Sequence, residues 1–154
     1  MVISGKNSIT LTNILFGEVW VCSGQSNMEF TIRALGGWKQ YRQAKTALKK
    51  NDCSDIRLCT VDPAPEPLPS DSCKAAWCEA TPATVSDFSA TGFFFGKALY
   101  DMLGVPVGLI ASAVGGTPAE AWTAQECLRS DPELAYFLRS PNSESWDCAK
   151  ASRL

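Results

Sequence analysis

The sequence predicts an α/β fold built on a parallel sheet, on three observations. Strand-like runs alternate with helical ones along the chain. Two of the strands, ending near Cys22 and Ala111, run into small polar turns at residues 23–27 and 112–117, each followed by helical sequence. In parallel sheets the carboxyl ends of neighbouring strands face one crevice, so these two turns are expected to share it.

The elements follow in order. Residues 8–11 alternate, and residues 14–16 and 19–22 are dense in apolar side chains, so all three read as strand. The run Val19-Trp20-Val21-Cys22 is expected to be a central strand buried on both faces. From Asn27 to about Lys50 the sequence turns helical, interrupted at Gly36-Gly37, with Trp38, Tyr41 and Leu48 on one face. Lys39, Arg42, Lys45 and Lys49 make a solvated basic face there. "DIRLCTV", residues 55–61, is a second short strand. "DPAPEPLPSDS", residues 62–72, has four prolines in eleven positions and reads as a surface loop, because proline lacks the N–H that helix and sheet require. "KAAWCEAT" is ambiguous. "SATGFFFGKALYDMLG" is the clearest helix: Phe94, Phe95, Ala98, Leu99, Met102 and Leu103 give a broad apolar face, Ser89 or Thr91 can cap its start, and Gly104 can stop it. Residues 107–111 form a third strand that leads to Gly115-Gly116. "AWTAQECLRSDPELAYFLRS" is helical in two pieces, broken at Asp131-Pro132.

A length of 154 residues suits one domain with a real core, and 45% hydrophobic against 19% charged residues reads as globular. A net charge of −2 gives no reason to expect nucleic acid or an anionic membrane as partner. Apolar runs fall far short of the roughly 20 residues that span a bilayer. "MVISGKNSITLTN" has no apolar core segment, so no signal peptide is read; the chain is cytosolic or its true start lies upstream. Of the seven cysteines, Cys22 is expected to be a small buried residue. Cys53, Cys59, Cys73, Cys78, Cys127 and Cys148 fall in polar or loop-like sequence and lean towards a disulfide-forming compartment. A zinc site is disfavoured by the loose Cys53-x5-Cys59 and Cys73-x4-Cys78 spacings and the lack of histidine, so neither metal nor cofactor is expected. Trp20, Trp77 and Trp122 read as core by default; Trp122 could instead line a sugar pocket.

The chemistry lies in the two turns. A serine just past a strand, at a turn into a helix, presents an exposed Oγ beside free backbone amides, as an acyl-transfer nucleophile requires. Ser26 is that candidate, although "SGQSNM" departs from a G-x-S-x-G elbow and Ser23, Ser26 or Asn27 could merely cap the helix. Gly115-Gly116-Thr117 permits positive φ and close approach of a ligand to backbone N–H groups; an ordinary turn explains it equally well.

"FGEVWVCSGQSNMEF" and "FSATGFFFGKALYDMLGVPVGLIASAVGGTPAEAW", in that order, resemble the sialate O-acetylesterase family of the SGNH hydrolase superfamily. The resemblance covers most of residues 7–128. It implies a flavodoxin-like three-layer α/β/α domain that removes acetyl groups from O-acetylated sugars such as sialic acid. It implies Ser26 as nucleophile, with the N–H of Ser26 and of Gly116 or Gly115 as oxyanion donors. Gln25, Asn27, Glu120 and Trp122 would contact the substrate, and the setting would be lysosomal or extracellular.

The pattern also breaks. A Gln-Gly-Glu-Asn-like block and a late Asp-x-x-His are absent, and the chain has no histidine at all. Glu120 or Asp87 could serve as base only if burial raised its pKa. Glu120 otherwise orders loops, meets a sugar hydroxyl or is a solvated first-turn acid. The simpler account is that residues 15–154 are the amino-terminal part of a longer esterase domain and residues 1–14 the tail of an upstream β-rich segment. Such a piece would be inactive alone. The alternatives are a non-catalytic carbohydrate-binding or pseudoenzyme module, and a redox or metal protein that uses the cysteines.

Overall fold

The structure, a computed structural model, describes residues 1–36, 42, 46, 53–64 and 70–138. Most of the helical stretch expected up to Lys50, including Lys39, Lys45 and Lys49, lies outside the described residues, as does Cys148.

In chain order the elements are β1 (Val2–Ser4), β2 (Ser8–Thr10), β3 (Glu18–Gly24), α1 (Ser26–Glu29), β4 (Ile56–Val61), β5 (Ala75–Glu79), α2 (Pro82–Ser86), α3 (Ala90–Leu103), β6 (Val107–Ala113) and α4 (Gln125–Ser130). Short 3-10 helices stand at Arg33–Leu35, Ala119–Trp122 and Ala135–Leu138. β1 and β2 pair as a small antiparallel sheet of their own. The main sheet has the order β3-β6-β4-β5. β6 is parallel to both β3 and β4, whereas β5 is antiparallel to β4. The fold is α/β, with helices packed on a mixed sheet.

Four expectations about the strands and the cysteines are corrected. The sheet is not wholly parallel, because the proline-rich loop joins β4 to β5 as a hairpin, which needs no crossover helix. The Asp62 N–H donates to the Lys74 carbonyl across 2.9 Å where that loop leaves the strands. The central strand is β6, not β3. Among the described residues β3 pairs with β6 alone, and its Val19 and Val21 are 62% and 65% exposed. Residues 14–16 form no strand. Asn13, at a left-handed φ of 54°, turns the chain there, and its amide bonds both Arg57 and Glu79 on the sheet. Cys53 and Cys59 are buried rather than looped out.

The main core cluster lies on one face of the sheet. Cys22, Ile56, Leu58, Val107, Leu109 and Ala111 point to α2 and α3, where Val85, Phe88, Ala90 and Phe93 meet them. α3 has the expected caps: Ser89 Oγ accepts the Gly92 N–H at 3.0 Å, and Gly104 closes the helix in the left-handed region at φ 65°. Its packed stripe differs from the expected one. Ala90, Gly92, Phe93, Gly96 and Lys97 are buried, whereas Phe94, Phe95, Met102 and Leu103 are largely exposed. The reason is close approach: a Cβ on Gly96 would stand 2.5 Å from Leu109 Cδ1, so the helix rides on the sheet along its glycines. Lys97 reaches out of this interface to Asp101, one turn on. Trp20, Trp77 and Trp122 are not core either; each is at least two-fifths exposed, and Trp20 packs edge-on against Phe95 at the helix flank.

Candidate active site

The first corner follows β3. Gly24 ends the strand, Gln25 caps α1, and α1 is a single turn that stops at Phe30. So short a helix has little dipole to offer, and the field at Ser26 comes from its local amides. The Gln25 side chain takes them up in part: its Oε1 accepts the Ser26 hydroxyl at 2.9 Å and the Ser26 N–H at 3.3 Å. α3 holds the turn from the other side. Thr91 Oγ1 donates to the Asn27 carbonyl, the Ala90 N–H to the Phe30 carbonyl, and Met28 packs on the core.

The second corner follows β6. Residues 115 and 116 make the turn, with Gly116 at φ 77°. Thr117 Oγ1 donates back to the Val114 carbonyl at 2.7 Å and accepts the Trp122 indole N–H at 2.8 Å, so that tryptophan is fastened to the corner with its ring part-exposed.

Pairing of β3 with β6 places the corners side by side. The register runs through Gly24 opposite Ala113, and the Val114 N–H extends it by donating to the Gly24 carbonyl at 3.1 Å. A Cβ on Gly115 would collide with Glu29 Oε2 and come to 3.6 Å from Ser26 Oγ. The Gly115 N–H donates to that same Glu29 oxygen at 2.8 Å, across 86 positions of sequence. Ser26 is an exposed residue.

The structure therefore brings Gln25, Ser26 and Gly115 together, with Gly116 next in the turn. Asn27 is exposed within α1. Glu120 stands half-buried in the first turn of the Ala119–Trp122 helix, and its carboxylate has no hydrogen-bond or ion-pair partner among the described residues. Asp87 is engaged elsewhere: it caps α2 and pairs with Arg33 at 2.6 Å on the surface. Glu29 is the residue the sequence reading missed. Its position three residues after Ser26, on the same side of a helical turn, was the available signal.

The cysteine-based alternative gains nothing here. Cys22, Cys59, Cys73, Cys78 and Cys127 are free thiols. Burial pushes the Cys22 thiol up, and burial together with the neighbouring Cys73 and Cys78 pushes up Cys59, which leaves less of the reactive thiolate. Among the described residues no group of three or more His, Cys, Asp or Glu is placed to hold a metal ion. No described helix is long and apolar enough to cross a membrane.

Known proteins resemble this chain in sequence and in fold. Human sialate O-acetylesterase is 31% identical over 131 residues, covering 80% of this chain and 24% of its own length. The mouse sialate O-acetylesterase is 27% identical over 158 residues, covering 92% of this chain and 29% of its own. The chain thus spans about a quarter of the length of the curated relatives it matches. Among solved structures, a carbohydrate acetylesterase from Xanthomonas citri superposes with a TM-score of 0.69 at 31% identity, over 84% of this chain and 28% of that one. The family model for carbohydrate esterases of the sialic acid-specific acetylesterase type matches residues 16–135, both corners included. The chain belongs to that family.

Proposed function

We propose that the chain carries the nucleophile and part of the oxyanion hole of a serine esterase that removes acetyl groups from O-acetylated sugars such as sialic acid. The observation that supports this best is the adjacency of the two corners, with Ser26 Oγ and the Gly115 backbone flanking one point. In this reading Ser26 Oγ attacks the acetyl carbonyl carbon and its proton passes to a base. The carbonyl oxygen takes the negative charge and is held by a glycine N–H of the second corner and by the Ser26 N–H, which exchanges its long 3.3 Å bond to Gln25 Oε1 for one to that oxygen. Collapse breaks the bond to the sugar oxygen, which leaves with a proton, and water then releases acetate from the acyl-serine. Gln25, Asn27, Glu120 and Trp122 line the approach, with the Trp122 ring offered to an apolar sugar face.

None of the 154 residues is a histidine. A serine hydroxyl is hardly ionised at neutral pH, so the reading takes the base from outside these residues and makes the chain inactive by itself. Residues 15–154 then act as the amino-terminal part of an esterase domain in a lysosomal or extracellular protein, with residues 1–14 the tail of an upstream β-rich segment. An organophosphonate ester probe tests this. Little or no labelling is expected of the 154-residue chain, and labelling at Ser26 of a longer chain that adds an Asp-x-x-His segment. Labelling of the longer chain that survives Ser26→Ala would end the role of Ser26. Strong labelling of the short chain, lost in Ser26→Ala, would place a base within it.

The missing histidine also favours a second reading, a module that binds acetylated sugars without turnover. Saturable binding of an O-acetylated sialoside by calorimetry, with no acetate released even from the longer chain, would select it.

A further inference from the structure

We propose that Glu29 is a positioning residue: its carboxylate holds the Gly115 amide, which fixes the second corner against the first and leaves Gly116 as the second corner's donor. The proposal rests on the reading of the two corners as one esterase site.

The geometry supports it from several sides. Glu29 closes α1, and its backbone N–H is tied to the Gln25 carbonyl at 3.0 Å, so the side chain springs from a fixed root. From there Oε2 reaches the Gly115 N–H at 2.8 Å, a short bond to a charged acceptor. An amide N–H has one hydrogen and makes one strong bond, so an amide held by Glu29 is not available to a substrate oxygen. The next amide, that of Gly116, has no partner among the described residues and sits in the turn at φ 77°. The same contact answers an electrostatic difficulty. A bare carboxylate beside Ser26 would oppose the negative charge that develops there, and donation from Gly115 offsets part of its field. The small side of Gly115 matters for this as well: a Cβ at that position would occupy the place of the Glu29 oxygen.

Amide hydrogen exchange on the 15N-labelled 154-residue chain tests the contact without any need for activity. Gly115 is expected to exchange more slowly than Gly116. Glu29→Ala should speed Gly115 by about tenfold or more, the scale of losing a hydrogen bond to a charged group, with the β3–β6 ladder unchanged. Glu29→Gln keeps an acceptor oxygen and should hold Gly115 within about threefold of the parent, because a neutral bond still forms. A Gly115 amide that exchanges as fast as Gly116 in the parent chain overturns the proposal, and so does a Glu29→Ala rate equal to the parent's. Should Glu29→Ala fail to fold, the parent and Glu29→Gln rates still decide. In the longer chain, phosphonylation of Ser26 should move the Gly116 amide resonance and spare that of Gly115; the reverse pattern overturns the donor assignment. Failure of the probe to label Ser26 counts against the esterase reading alone, since the exchange rates report on Glu29 without it.

Discussion

The two faces of the central sheet are written in similar residues and live in different surroundings. Under α3, Ile56 and Leu109 are 0% exposed and Leu58 and Val107 1%. On the opposite face Val19, Val21 and Trp77 are more than half exposed, although Ile110 and Gly108 lie between them in the ladder. Alternation along β3 and β6 accounts for the split, since successive side chains point to opposite faces. What differs is coverage: on one side a helix lies on its own glycines, and on the other Cys59 is buried while Val19, Val21 and Trp77 stay open. Stability should therefore be concentrated on one face, and the site at the strand ends is anchored chiefly from that side, through Met28, Thr91 and Ala90.

The largest effect is expected at the covered face. Leu109→Ala removes a wholly buried side chain from the central strand and should cost about 2–5 kcal/mol of unfolding free energy in urea, enough to unfold a marginal domain. Next comes Gly96→Ala. Its new methyl would meet Leu109 Cδ1 at 2.5 Å, and the cost should be about 1–3 kcal/mol from overpacking. The two changes touch the same space, so the double variant should cost less than the sum of the singles: the cavity left by Leu109 receives the methyl. Strict additivity would mean that α3 does not ride on β6 at this crossing.

That crossing also shows which parts of the fold are legible from sequence. Strands β4 and β6, the caps of α3 and the kinship of the two corners all rest on local chemistry: β-branched runs, Ser89, Gly104 and polar turns after strands. The packed face of α3 does not, because counting apolar side chains selects Phe94 and Phe95, whereas contact with the sheet selects the absence of a side chain at Gly92 and Gly96. Likewise Val19-Trp20-Val21-Cys22 has the composition of a central strand, yet whether a strand is central depends on what pairs beyond it, which no local pattern encodes. At the site the same division holds. Ser26 and the glycine pair are readable as turns, whereas the Glu29–Gly115 bond joins positions 86 apart and becomes visible only once β3 and β6 are neighbours.

The smallest effect is expected on the uncovered face, and it sharpens the comparison most. Val21→Thr keeps the β-branched shape that suits a strand and exchanges one methyl for a hydroxyl at a position already 65% exposed. Little burial is lost, so unfolding free energy should change by no more than about 0.5 kcal/mol. The measurement is best made at two protein concentrations. A cost above about 1 kcal/mol that is independent of concentration would mean that residues of the same chain cover Val21, because only burial makes a polar atom there expensive. A cost that grows with concentration would instead place a second copy over the face, since association stabilises by mass action and the hydroxyl would weaken it. With neither, the asymmetry between the faces is a property of the isolated chain, and the corners carrying Ser26 and Gly115 depend on the α3 side for their support.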